Sequence, residues 1–399
     1  MNKFLHFDWL AMRVALEGQS FIDVPRLSLQ SKAEARQFLL AYGYDLDDSS
    51  TREELWRIYF QSLSFLREQL LENGEKVPDE FLKRGPQTDI LRLLVDASQA
   101  TGLVHTKLSQ EERNKKIKGR WSCALLRVMH IISHLDNDVR LENFNFAREQ
   151  IFTRFDKHIN YVGGRRWKFG SGPNAVTLVR YIKKERKDRN SIIVKLLSKP
   201  NNVVEEIYDR LGLRFVTESR FDCYRLVQQM FDLGVVSAPN IHPGRAVNSL
   251  IPYEILSQTV ETLKRDLNSG LLSTKTARKK ISRLEQEDIV PVTALRNPFS
   301  SRWYRALQFT CRQLIVAPDP TYRFWQEVQK TMASAKGAQA ALKKVPVSLR
   351  EKRTFYYPFE IQVMDKESYV ESIGGRSRHR EYKSKQRLMA RNRVLRDLV

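Results

Sequence analysis

The stretch LGLRFVTESRFDCYRLVQQMFDLG, residues 211–234, joins two patterns without a gap: 211–219 reads as a strand and 220–234 as a helix closed by a glycine. The segments before it continue the alternation. NAVTLVRYIKK (174–184) has the β-branched spacing of a strand, NSIIVKLLSK (190–199) reads as a short helix, and NVVEEIYDR (202–210) as another. Strand and helix in turn predict a mixed sheet with helices packed on it. Further along, residues 249–290 read as a helical pair, YRALQFTCRQLIVA (304–317) as a strand, and PFEIQVMD (358–365) as a second strand. In that last strand Phe359, Ile361 and Val363 share one face and Glu360 and Gln362 the other, because side chains alternate along an extended chain. The apolar three are expected to be buried.

Toward the N-terminus the period changes to that of helices, from residue 5 to about 160. TREELWRIYFQSLSFLREQLLE (51–72) places Leu55, Ile58, Tyr59, Leu63, Leu66 and Leu70 on one broad face, and SKAEARQFLLAYG (31–43) ends at a glycine. TDILRLLVDASQATG (88–102) and CALLRVMHIISHL (123–135) follow suit. A helical domain over 1–140 is therefore expected ahead of a sheet domain over 141–399, with helical inserts near 245–296 and 325–353 and a basic tail. In HIISHLDND, His130 and His134 have the four-residue spacing of zinc hydrolases, but Ile131 stands where the catalytic glutamate belongs, so the segment reads as a packed helix. The glycine-rich GGRRWKFGSGPN (163–174) matches neither phosphate-loop pattern, and a connecting loop is expected there.

Length and composition bound the rest. The 399 residues are 42% hydrophobic and 29% charged, enough for two ordinary cores, and no apolar run approaches the ~20 residues that a bilayer crossing needs. MNKFLHFDWLAMRVALEG lacks the uninterrupted apolar centre of a signal peptide, and Cys123, Cys223 and Cys311 form no Cys-x-x-Cys pair. A cytoplasmic protein with no membrane partner is expected. The net charge of +22 favours polyanionic partners, with RNA among them. Residues 163–199 hold eleven Lys or Arg against Glu185 and Asp188, and 376–399 hold nine against Glu381 and Asp397. The tail reads equally as a solvated face.

Residues 183–214 suggest chemistry. Lys187, Arg189, Ser191, Lys195 and Lys199 put cations and a hydroxyl at a helix start and along one face, an arrangement suited to a triphosphate. Asp209 follows at the mouth of a strand, where a carboxylate beside phosphates would hold Mg²⁺, and Arg214 points out of that strand.

Lys187, Ser191, Ile192, Lys195 and Lys199, then Asp209-x-x-Gly-x-Arg214 and Asp222-x-Tyr224, together resemble the synthetase domain of the RelA/SpoT family of (p)ppGpp synthetases. Trp303-Tyr304-Arg305-Ala306-Leu307-Gln308, Phe359-Glu360-Ile361-Gln362-Val363 and His379-Arg380-Glu381-Tyr382-Lys383 resemble the family's later motifs in the same order. The resemblance covers about residues 140–235 and 297–385. It implies an α+β fold with a nucleotidyltransferase-like mixed sheet, and an enzyme, a pyrophosphokinase moving pyrophosphate from ATP to the 3′-hydroxyl of GDP or GTP. It implies ATP phosphates on Lys187, Arg189, Lys195 and Lys199, and Mg²⁺ on Asp209 and Glu360, with Glu360 also aiding deprotonation of the hydroxyl. Tyr304 would stack on the acceptor guanine, beside Arg305, Gln308 and Gln362.

The chain departs from the family on the acceptor side. Gln308 replaces a histidine, Arg305 a glutamine, and Met364-Asp365 an Arg-Thr pair; Glu185 stands where an arginine is expected. An RNA 3′-end as acceptor therefore stays open, as does a non-catalytic nucleotide- or RNA-binding regulator. The bifunctional relatives' hydrolase pattern is not visible upstream, so no alarmone hydrolysis is expected.

Overall fold

The computed structural model describes residues 8–82, 89–100, 109–138, 140–164, 166–184, 188–199, 210–287, 304–332, 350–374 and 379–398. In chain order the elements are α1 Trp9–Glu17, α2 Lys32–Tyr42, α3 Ser49–Phe65, α4 Ile90–Ala97, α5 Gln110–Asp136, α6 Phe144–Asp156, β1 Ile159–Gly163, β2 Arg166–Phe169 and β3 Val176–Lys184. They continue with α7 Arg189–Ser198, β4 Gly212–Thr217, α8 Arg220–Asp232, β5 Val247–Asn248, α9 Tyr253–Asn268 and α10 Thr274–Gln286. β6 Leu307–Pro318, α11 Pro320–Met332, β7 Lys352–Asp365, α12 Lys366–Gly374 and α13 His379–Leu395 complete the order. The expected helix over 202–210 lies outside the described residues apart from Arg210.

Two compact units form, and they are interleaved in sequence. One comprises Met1–Asp138, Asp188–Ile207 and His379–Val399, the other Val139–Lys187 and Tyr208–Arg378. The first is helical, as its periodicity predicts, but it also takes in α7 and α13, which the sequence places in the sheet domain. The reason lies in α7 itself: Ile192, Ile193, Val194, Leu196 and Leu197 are all buried, and they join the core formed by Ile58, Leu66, Leu125 and Ile132. Only the first turn at 189–191 and Lys195 stay partly exposed, so the apolar residues outweigh the cations in deciding where the helix packs.

In α13 only part of the basic tail is a solvated face. Lys383, Lys385 and Arg387 are exposed, but Arg391 and Arg393 are buried. Arg393 forms a bidentate pair with Asp23 at 2.6 and 2.7 Å and also donates to the Leu197 carbonyl, while Arg391 does the same with Glu75 at 2.9 and 2.6 Å and with the Leu70 carbonyl. These guanidiniums match planar carboxylates and leftover carbonyls, which is why arginine and not lysine stands there. α5, the longest helix of the unit, opens on a reciprocal capping box between Ser109 and Glu112. At Gly119 it approaches α4 so closely that a Cβ would meet the Asp96 carbonyl oxygen at 2.7 Å.

The second unit is built on a seven-stranded mixed sheet of order β1-β2-β3-β4-β7-β6-β5. β4 and β7 pair in parallel, Gly212 beside Glu360 and Arg214 beside Gln362; the other described neighbours are antiparallel. β7 is longer than predicted, beginning at Lys352, and pairs with β6 in unbroken register from Leu307↔Val363 to Pro318↔Lys352. The glycine-rich 163–174 proves to hold a hairpin turn: Gly163 and Gly164 take φ of 89° and 57°, the left-handed region that lets β1 reverse into β2. One face of the sheet packs on α6 and α8, through Ile151, Phe155, Leu226 and Met230 against Phe169, Phe215, Phe359 and Ile361. On the other face a smaller cluster of Val216, Ala306, Met364 and Tyr369 anchors α12. Among the described residues no helix is long and apolar enough to cross a membrane.

Candidate active site

The alternation of β7 sets the site. Phe359, Ile361 and Val363 are 2%, 0% and 0% exposed, as their side of the strand predicts. Glu360 and Gln362 therefore rise from the opposite face, and both are buried too. Burial of a carboxylate and an amide demands partners. The register brings them from the two flanking strands, since Gly212 and Thr310 flank Glu360, and Arg214 and Gln308 flank Gln362.

The resulting network is continuous. The Gln308 side-chain amide donates to one oxygen of Glu360, and the Gln362 amide donates to the other at 2.8 Å. The Gln362 carbonyl oxygen in turn accepts from Lys184 Nζ at 2.9 Å and from Arg214 Nε at 3.0 Å. Lys184 Nζ lies 3.9 Å from Glu360 Oε2. Gln362 thus orients the carboxylate with one end and gathers two cations with the other. The Glu360 backbone N–H donates to the Leu211 carbonyl at 2.9 Å, which locks the parallel register next to the carboxylate.

Of the residues expected at the site, Arg214, Gln308, Glu360 and Gln362 come together here. Asp209 and Lys187 lie outside the described residues; Asp209 is two residues ahead of Leu211 in the chain. Arg305 is buried and donates to the Ser249 carbonyl at 3.2 Å, a contact that holds the start of β6. Tyr304 packs, partly buried, against the Val216–Met364–Tyr369 cluster. Arg189, Ser191, Lys195 and Lys199 are on or just after α7, in the helical unit. There Arg189 pairs with Asp136 at 2.6 Å and bonds Gln61, and the helix start is capped by the Asp188 carboxylate accepting from Ser191 N–H at 2.8 Å. An acidic cap already meets the N-terminal dipole that was expected to face a phosphate.

Lys184 was missed by sequence reasoning. It ends the alternating run of β3, and alternation alone separates it from Lys183, which points the other way and pairs with Asp156 at 2.6 Å. Its place opposite Gly212, and so near Glu360, follows from strand pairing, which leaves no local signal.

Other chemistries find less support. Burial pushes the thiol of Cys123 up to about 11 and that of Cys311 up to about 12, and Cys223 is raised further, so none is poised as a thiolate. Among the described residues no group of three His, Cys, Asp or Glu side chains could hold a metal ion. His130 bonds the Tyr42 hydroxyl at 2.7 Å and lies within an aromatic cluster, where burial lowers its pKa to about 4, in keeping with a packed helix. No protein-family model matches the chain, and no curated protein matches it.

Proposed function

We propose that the sheet unit is a divergent pyrophosphotransferase of the RelA/SpoT type, moving pyrophosphate from ATP to the 3′-hydroxyl of a guanosine nucleotide with release of AMP. The observation that supports this most is the Gln362 hub, which holds one carboxylate and two cations on a single sheet face at the parallel β4–β7 pair. Phosphoryl-type transfer asks for this kind of equipment: positioned cations for the phosphate oxygens and a carboxylate toward the attacking hydroxyl, without a protein nucleophile.

Glu360 suits Mg²⁺, which binds through one or two carboxylates together with substrate phosphates and does not need an all-protein cage. Asp209 is the second carboxylate of the reading. Mg²⁺ would screen the phosphate charge; the protein's own part is to orient Glu360 through the Gln308 and Gln362 amides and to bind phosphate through Lys184 and Arg214. Because Arg189 is already paired with Asp136, the phosphate-binding role first assigned to the α7 cations passes in this reading chiefly to Lys184 and Arg214.

The test is to incubate the protein with γ-labelled ATP and Mg²⁺, offering GDP, GTP or bulk tRNA in parallel. Label on GDP or GTP, lost in Glu360→Gln and Asp209→Asn, supports the reading. Label on tRNA alone would move the acceptor to an RNA 3′-end. ATP binding with no transfer to any acceptor would replace the enzyme with a nucleotide-binding regulator.

A further inference from the structure

The helical unit contains a half-enclosed cavity of about 90 Å³ between the short turn Phe21–Asp23 and helices α2, α3, α4 and α5. Phe21, Phe38, Tyr42 and His130 form an aromatic wall, and Ile58 and Leu94 also line the space. The rings touch in sequence, Phe21 to Phe38 at 6.4 Å, Phe38 to Tyr42 at 6.4 Å and Tyr42 to His130 at 5.9 Å between centroids, so the wall is a continuous aromatic surface. Nearly all of the surface facing the space is carbon. The guanidiniums at its edge are turned to backbone carbonyls, Arg26 to Ser98 and Arg127 to Val24 and Val394.

We propose that this cavity is a binding site for a small neutral aromatic molecule, a single or fused ring with at most one hydrogen-bonding group. Protein interiors are packed as densely as organic crystals, and an apolar void is destabilising in proportion to its volume. An apolar space of this kind holds water poorly and accepts apolar guests of matching shape. Ring edges and faces along the wall favour an aromatic guest over an alkyl one, because offset and edge-to-face contacts add to area burial. The Tyr42 hydroxyl bonded to His130 lines the space, as do the mutually bonded Tyr44 and Ser133 hydroxyls, and one of these can serve one donor or acceptor on the guest. A charged guest would lose its hydration against a lining that is nearly all carbon, a cost that the Arg26 and Arg127 guanidiniums, committed to backbone carbonyls, do little to offset. This site belongs to the helical unit and does not depend on the pyrophosphotransferase reading.

Calorimetric titration of the full-length protein with indole, with benzoate as a charged ring of similar size, tests the inference. Indole should bind saturably at one site with a Kd of roughly millimolar or tighter, benzoate at least about tenfold more weakly. Leu126→Trp, from a partly buried position in the lining, should fill the space and weaken indole by about tenfold or more. If that variant does not fold, as judged by far-UV circular dichroism, Phe38→Trp replaces it. No saturable indole binding overturns the inference, as does equal binding by a folded filled variant; benzoate binding as well as indole overturns the neutral-ligand assignment.

Discussion

In the helical unit Arg391 and Arg393 are buried, and each grips a carboxylate with two nitrogens and a helix carbonyl with a third contact. On the sheet, Lys184 and Arg214 both donate to one neutral amide oxygen, and the nearby carboxylate is held by amides. The first pattern closes a structure, since charges and lone pairs are matched inside it. The second draws two cations to one neutral oxygen, with Lys184 also 3.9 Å from the Glu360 carboxylate, so charge of both signs gathers on one sheet face. The same composition of +22 therefore contains cations matched to carboxylates and cations gathered on an amide oxygen, and partner geometry distinguishes them.

The sharpest way to break this comparison is at Arg393. Arg393→Met leaves the part-buried Asp23 without its partner and frees the Leu197 carbonyl, so unfolding free energy should fall by about 3 kcal/mol, read from urea denaturation. On the sheet the opposite balance is expected. Glu360→Gln should reduce transfer by about 100-fold or more in the labelled-ATP assay, while its denaturation midpoint shifts far less than that of Arg393→Met. Loss of fold in Glu360→Gln would make the sheet network structural like the arginine pairs.

Gly119 gives a smaller effect within the helical unit. An exposed helical glycine changed to alanine normally gains stability, but here the new methyl would press on the Asp96 carbonyl oxygen at 2.7 Å and the Ala100 nitrogen at 2.9 Å. Gly119→Ala should thus lose about 1–3 kcal/mol in the same denaturation series. A gain would show that α4 and α5 can move apart freely.

His130 sets a pH dependence. Its folded pKa is lowered to about 4 by burial, below the unfolded value of 6.5, so the unfolded chain takes up the proton first. Its contribution is intact above pH about 6.5 and fades as the pH falls through the range down to about 4, by the order of 1–3 kcal/mol. The fall in stability between pH 7 and pH 5 should be smaller in His130→Gln than in the unaltered protein; an unchanged fall would assign it to other groups. Lys183→Ala sits at the end of the scale, since Lys183 lies on the far side of β3 from Lys184, and its transfer activity should stay within about twofold while Lys184→Ala loses about tenfold or more.

Much of the local structure was legible. α7, β4, α8 and the helices of the first third follow from short-range spacing, and so does the split of β7 into a buried and a polar face. What failed has a common cause. The hairpin at 163–169 depends on two glycines whose turn was read as a loop, and Lys184 enters the site only through its pairing with β4. The resemblance expects Tyr304 and Arg305 at an acceptor site; their packing on an apolar cluster and hold on the Ser249 carbonyl are contacts that no local pattern signals. Within the basic stretch 163–199, Arg166 meets Glu218, Lys183 Asp156, Arg189 Asp136 and Lys184 Gln362, partners that no local spacing predicts.

The sequence by itself determined the elements, because helix and strand preferences are written in neighbours a few residues apart. It also determined which side of β7 carries Glu360 and Gln362. Tertiary structure alone decided that α7 and α13 join the helical core, that Arg393 meets an aspartate 370 positions away, and that Arg214 reaches Gln362 across 148. Those choices depend on which apolar faces can be buried together and which buried charges can be matched, and both are properties of the folded chain.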